Sequence, residues 1–232
     1  MRKIFLAIIG LLVFHCLNAQ LVIGINSRTS YNYIKSLDKD IQVSPGALSA
    51  SYGVVVDYYF TQNYAVSTGL EMIGYRGINF SVTDLVHINE FATIDISTVN
   101  PDLLTYNKGQ FQYLSFPLTL KLNTVEIGYN TYFANFGLVT GFLSQAKSQI
   151  TIISDGFNQT DLVDRLEEVS KLQAKRLLLC YRLGGGISYA LGGSTALNLG
   201  LYYEASVGNF INLKDQEGIL LRNISLSLGM MF

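Results

Sequence analysis

The chain has 232 residues, of which 49% are hydrophobic and only 14% charged, with 21 Gly, 15 Tyr, 13 Phe, 3 Pro and no Trp. Charged residues run at about 25% in an ordinary soluble domain, and no apolar run past the N-terminus approaches the roughly 18 residues of a spanning helix. These numbers exclude a helical membrane protein, a disordered chain and a typical charged cytosolic enzyme, and leave an all-β protein with an unusually apolar surface.

The chain opens with Arg2 and Lys3, followed by an apolar stretch from Ile4 to Phe14 and the sequence Leu17-Asn18-Ala19 before Gln20. A charged start, a short apolar core and a small residue at the cut predict a secretory signal peptide over residues 1–19. The mature domain is then 20–232. The alternative of a lipid-modified Cys16 is disfavoured by the bulky Phe14 and His15 before it. Without residues 1–19 the chain carries 14 Lys and Arg against 17 Asp and Glu, a net charge of −3. No basic block points to nucleic acid. One cysteine, Cys180, and one histidine, His87, remain. An intramolecular disulfide and a cysteine-rich zinc site are thereby excluded.

Eight segments then alternate between apolar and polar residues, the period of a strand. The first, Leu21 to Tyr31, sets Ile23 and Ile25 against Gly24, Asn26 and Arg28. The second sets Tyr52, Val54, Val56, Tyr58 and Phe60 against Gly53, Val55, Asp57 and Tyr59. In the third, Val66, Leu70 and Met72 oppose Ser67, Gly69, Glu71 and Ile73. The fourth opposes Leu114, Phe116, Leu118 and Leu120 to Ser115, Pro117, Thr119 and Lys121, and the fifth Ala134, Phe136, Leu138 and Phe142 to Asn135, Gly137, Val139 and Gly141. The sixth opposes Leu179, Tyr181, Leu183, Ile187 and Tyr189 to Cys180, Arg182, Gly184, Gly186 and Ser188. The seventh runs through Leu197, Leu199, Leu201 and Tyr203 against Asn198, Gly200, Tyr202 and Glu204. The last, Asn223 to Phe232, alternates strictly apart from Met231 and ends on an aromatic residue, as transmembrane barrels usually do.

The connections alternate too. Short ones fall near 61–63, 123–128 and 191–194, and long ones at 32–50, 81–108, 146–175 and 208–221. Sorting loops by length is expected when one barrel end faces the periplasm and the other the exterior. Within the third long loop, Leu162, Leu166 and Val169 share a helical face behind early acidic residues, which predicts a short amphipathic helix within 160–173. The expected fold is an eight-stranded antiparallel up-and-down transmembrane β-barrel. Its apolar set would face lipid, with Tyr52, Tyr58, Phe60, Tyr189 and Phe232 as interfacial residues.

The inward face would hold Arg28, Lys121 and Arg182 against Asp57, Glu71 and Glu204. A charge in a narrow bore must be paired or solvated, and equal numbers of each sign allow a closed network. Inward glycines leave room for these side chains and for Tyr59 and Tyr202. An interior filled by side chains, a plug and not a pore, is the expectation for eight strands. No catalytic, cofactor or metal residues are assigned. Ser36-Leu37-Asp38-Lys39 and Ser144-Gln145-Ala146-Lys147 match S-x-x-K without its companion motifs, in or near loops. Gly184-Gly185-Gly186 lies in a strand and does not open a helix. His87, with Asp84, Glu90 and Asp95 nearby, reads as a solvated loop histidine, and Cys180 as a space-filler.

Tyr113-Leu114-Ser115-Phe116-Pro117-Leu118-Thr119-Leu120-Lys121 resembles the "YLEIPLLLK" strand of the PorT-like outer-membrane β-barrel family of Bacteroidota. Phe136 to Leu143, Leu183 to Tyr189, Leu201-Tyr202-Tyr203 and Leu226 to Phe232 are similar to its other strands, and the "NAQ" ending of the leader is common there. Ser115 departs from that strand's usual acidic residue, so any pairing carried over to Lys121 is not inherited. The resemblance implies an eight-stranded barrel in the outer membrane of a Gram-negative bacterium; its namesake serves the type IX secretion system. Fold alone does not transmit that role. The expected function is a non-enzymatic structural or interaction protein working through its loops, with outer-membrane lipid and envelope or secretion-system proteins as partners and no cofactor. Three alternatives stand beside it: an accessory component of secretion or envelope assembly, an outer-membrane hydrolase or acyltransferase using His87, and a soluble lipocalin-like binder with the two faces inverted.

Overall fold

The computed structural model describes residues 20–36, 41–43, 46–82, 104–153, 175–210 and 219–232. The expected leader, His87 and the expected helix within 160–173 lie outside the described residues. Nine strands are present: β1 (Gln20–Ser36), β2 (Ile41–Val43), β3 (Ala47–Tyr59), β4 (Tyr64–Val82), β5 (Leu104–Asn123), β6 (Asn130–Ile153), β7 (Leu177–Gly192), β8 (Thr195–Ser206) and β9 (Ile219–Met231). The eight long ones close on themselves. Neighbours pair antiparallel in the order β4-β3-β1-β9-β8-β7-β6-β5, and β5 returns to β4. The short β2 adds to the far end of β4, Ile41 opposite Val82.

Closure gives the alternation its meaning. Along β9, Ile224, Leu226 and Leu228 are about half exposed, while Asn223, Ser225 and Ser227 are buried. The same split holds on β1, with Leu21, Ile23 and Ile25 outside and Arg28, Ser30 and Asn32 inside. The outer wall is therefore apolar and the bore polar, the reverse of a soluble ligand-binding barrel. Every strand has two neighbours in the ring, so the backbone exposes no sheet edge across the apolar band, as hydrocarbon requires. Phe60 with Tyr64, and Tyr129 with Tyr189, form ring pairs at the short-turn end, and Tyr181 with Tyr203 does so toward the long-loop end.

One break in the ladder has a covalent cause. Pro117 on β5 has no amide proton, and the β4–β5 pairing steps from Thr68↔Leu118 to Glu71↔Ser115 around it. The Thr68 hydroxyl donates to the Pro117 carbonyl at 2.9 Å across the gap.

The wall is uneven in height. β4, β5 and β6 have 19, 20 and 24 residues, against 12 and 13 in β8 and β9. β7 leaves β6 at Phe142, yet β6 stays paired with β5 as far as Ile153. The segments expected as loops at 81–108 and 146–175 are therefore strand up to Val82, from Leu104 and up to Ile153. Likewise β1 runs on to Ser36, and β3 starts at Ala47, so that Tyr52 sits mid-strand and not at an end. Ser144 and Lys147 lie within β6, not in a loop. The sequence there lacks a clean two-residue contrast: Ile73, Tyr75, Phe111 and Tyr113 are apolar on the inward parity, so the period that marks a strand is lost before the strand ends. A bulge opens in this tall wall at Arg76-Gly77, where Gly77 takes φ 67° and a Cβ would stand 2.1 Å from that of Ala47.

Candidate functional site

The bore is the only place where charged groups from distant parts of the chain meet among the described residues. Four strands contribute to its middle layer: Arg28 from β1, Glu71 from β4, Arg182 from β7 and Glu204 from β8, each at most 6% exposed. They close a ring of alternating sign. Arg28 pairs with Glu71 and, at 3.2 Å, with Glu204. Arg182 reaches Glu71 at 2.7 Å through Nη2 and Glu204 at 2.5 Å through Nε. Asn26 donates to Glu71 and Asn223 to Glu204, at 3.2 and 3.1 Å, so each carboxylate also accepts a neutral hydrogen bond. Burying such ions costs several kcal/mol each, which only a fully bonded arrangement offsets. The Tyr202 ring lies beside both guanidiniums, 5.1 Å from Arg28 Cζ and 6.0 Å from Arg182 Cζ. Gly184 makes room for it, since a Cβ there would come within 2.2 Å of Tyr202 Cδ1.

Nearer the short-turn end, Lys121 on β5 and Asp57 on β3 form a separate pair at 2.6 Å. Lys121 Nζ also stands 5.1 Å over the Phe133 ring. This pair floors an open vestibule of about 830 Å³, lined by Gln20, Tyr59, Asn63, Asn123 and Asn198 among others. Asn123 donates to the Tyr59 hydroxyl at 2.8 Å.

On the long-loop side of the charge ring the bore turns apolar. Tyr75, Phe111, Tyr113, Phe210, Ile219 and Leu221 are buried in one cluster with Ile34, Leu178 and Cys180. Phe111 and Phe210 meet edge to face at 5.0 Å, and Tyr75 packs on Tyr113 at 5.8 Å. Phe210 follows β8 and is held inward by the chain itself. Its amide donates to the Ile219 carbonyl at 2.7 Å, and its carbonyl accepts from Lys175 N. The Tyr113 hydroxyl donates to the Lys175 carbonyl at 2.7 Å.

The chemistry available to this arrangement is narrow. All three interior carboxylates are engaged by cations, and no group of three or more His, Cys, Asp or Glu suited to a metal occurs among the described residues. Cys180 is buried within the aromatic cluster, and Gly184 to Gly186 form part of β7. The structure thus brings Arg28, Glu71, Arg182 and Glu204 together and keeps Asp57 with Lys121 apart from them. The aromatic cluster and Phe133 are not foreseen from sequence. Their signal was the run Ile73, Tyr75 and Phe111, Tyr113, apolar on the parity that elsewhere carries polar residues.

The model of the outer membrane protein beta-barrel domain matches residues 17–212. The chain belongs to this family. Membership agrees with the closed apolar-walled ring and places the barrel in the outer membrane. Among solved structures the barrel is similar to Neisserial surface protein A, at 12% identity over 90% of this chain and 95% of that one, with a TM-score of 0.43. It is also similar to Ail, the attachment invasion locus protein of Yersinia pestis (12%, 91% and 98%, 0.39), and to OprG from Pseudomonas aeruginosa (10%, 91% and 93%, 0.37). No curated protein sequence matches the chain.

Proposed function

We propose that this barrel is a non-enzymatic structural or interaction protein of the outer membrane, closed to solutes and working through its long-loop end. The observation that carries the reading is the double obstruction of the bore, a closed ion-pair ring beneath a packed aromatic cluster. A barrel sealed in this way offers function only at its surfaces, and the tall β4–β5–β6 wall raises one side of the loop end well clear of the apolar band. The partners in this reading are outer-membrane lipid and envelope proteins. The leader 1–19 would be removed on export, and the strand at 113–121 supports an origin among PorT-like barrels of Bacteroidota.

The test reconstitutes the mature chain in liposomes and follows uptake of small sugars. No uptake above empty liposomes is expected; steady conductance or swelling overturns the closed reading. Protease added to intact cells should cut within 83–103, and chemical cross-links placed in the same segment should capture envelope proteins. Cells whose loop end is cut only after lysis would reverse the assigned orientation. His87→Ala should leave every phenotype unchanged, whereas loss of a hydrolytic turnover in that variant would replace the reading with an enzyme.

A further inference from the structure

The cations outside the bore are distributed with a strong bias. The mature chain has 14 Lys and Arg, three of which are the interior Arg28, Lys121 and Arg182. The other seven among the described residues all fall toward the long-loop end. The turns at 60–63, 124–129 and 193–194 contain no Lys or Arg at all, and their one charged residue is Glu126.

Four of the loop-end cations stand on the outer face of the wall. Lys35 on β1 is exposed and shares the lipid-facing parity of Ile23, Ile25 and Tyr31. Arg222 on β9 shares the parity of Ile224 and Leu226, and faces Tyr33 and Ala205 in the sheet. On the opposite side of the ring, Arg76 is exposed at the β4 bulge, and Lys147 on β6 faces Gln110 of β5. Lys35, Arg76 and Lys147 lie one or two outward positions past Tyr33, Met72 and Phe142, a rise of roughly 7–13 Å toward the loop end. Arg222 lies one outward position past Ile224, with Leu220 beyond it opposite Lys35. Long basic side chains reach from such positions to the lipid headgroups.

Nothing described neutralises them. The carboxylates among the described side chains are Asp57, Glu71 and Glu204, all committed inside the bore, and Glu126 at the far end. No ion pair involving Lys35, Arg76, Lys147 or Arg222 occurs among the described residues. Cations held at a membrane surface attract anionic lipid at about 1 kcal/mol each, and Arg and Lys recognise phosphate by charge-assisted hydrogen bonds. We infer that Lys35 with Arg222, and Arg76 with Lys147, form two lipid-facing clamps for the phosphate groups of outer-leaflet glycolipid. The inference rests on the membrane-barrel reading, with the long loops outside.

The experiment uses the mature chain refolded in detergent and native mass spectrometry, with bisphosphorylated lipid A and its dephosphorylated form as probes. Folding is read first, from the shift in gel mobility on boiling. Absence of that shift in the wild type overturns the membrane-barrel reading itself. A folded wild type should retain the bisphosphorylated probe at least about tenfold better than the dephosphorylated one, and K35Q/R222Q/R76Q/K147Q should lose that discrimination. The paired variants K35Q/R222Q and R76Q/K147Q should each lose part of it, and they carry the test if the fourfold variant does not fold. K35R/K147R should keep it. Equal retention of the two probes by folded wild type, or full discrimination in the glutamine variants, overturns the clamps alone and assigns these cations to the acidic residues of the chain's own loops.

Discussion

The charge ring and the aromatic cluster obstruct the same bore within two residues of each other along β4, at Glu71 and at Ile73 to Tyr75, by opposite physics. The ring is directional: each of its two arginines bonds both carboxylates, so deleting any one member leaves two neighbours half-paired and an unbalanced charge in the buried set. The aromatic cluster is non-directional, and loses stability in proportion to the surface and packing removed. A bore sealed by ions is brittle to single changes; one sealed by rings degrades gradually. Having both makes the seal independent of either.

The sharpest way to break this contrast is Glu71→Ala, which leaves two buried guanidiniums, Arg28 and Arg182, sharing Glu204 alone. It should cost about 3–5 kcal/mol in urea unfolding from lipid vesicles; a loss below about 1 kcal/mol would mean that water already solvates the ring. Phe210→Ala should cost less, about 3 kcal/mol, since the connection after β8 can settle into the space. It should also leave sugar exclusion intact, because the ring beneath still closes the bore. A rise in liposome swelling with Phe210→Ala alone would show the aromatic cluster to be the actual seal. Lys121→Met should cost about 2 kcal/mol, below the range for a dry pair, because Asp57 borders the open vestibule and can be hydrated from it. A cost equal to that of Glu71→Ala would make the two charge layers equivalent. Smallest is Thr68→Val, which removes the hydroxyl bridging the gap at Pro117 and should cost about 1 kcal/mol. No measurable change would mean that the Pro117 carbonyl finds another donor.

How far the sequence carried this picture depends on the residue. Parity puts Arg28, Asp57, Glu71, Lys121, Arg182 and Glu204 on one face, because adjacent side chains on a strand point to opposite sides; the sorting of the loops, the terminal Phe232 and the family resemblance are what point that face inward. That six such charges split into a ring of four and a separate pair was not legible. Pairing across the bore depends on the stagger of strands far apart in sequence, Arg28 from Glu204 by 176 residues. The extensions of β4, β5 and β6 are not legible as strands, since their residues do not alternate between apolar and polar. Tyr75, Phe111 and Tyr113 were missed because an apolar residue inside a membrane barrel looks like an irregularity in the pattern until its neighbours are known.

The sequence by itself determined the strand count of the ring, the face on which each residue falls, and the sorting of short and long connections, all of them local properties of a two-residue repeat and its interruptions. Period two leaves the choice of inside and outside open. Closure decided that: with β4 paired to β5 and β1 to β9, only one face is narrow enough to enclose the charges, and the other is left to lipid. The tertiary structure alone also brought Phe210 from beyond β8 over the bore and gathered basic residues of four strands on the outer wall toward the long-loop end. Both depend on where the ends of separate strands come to rest relative to one another, which no local pattern encodes.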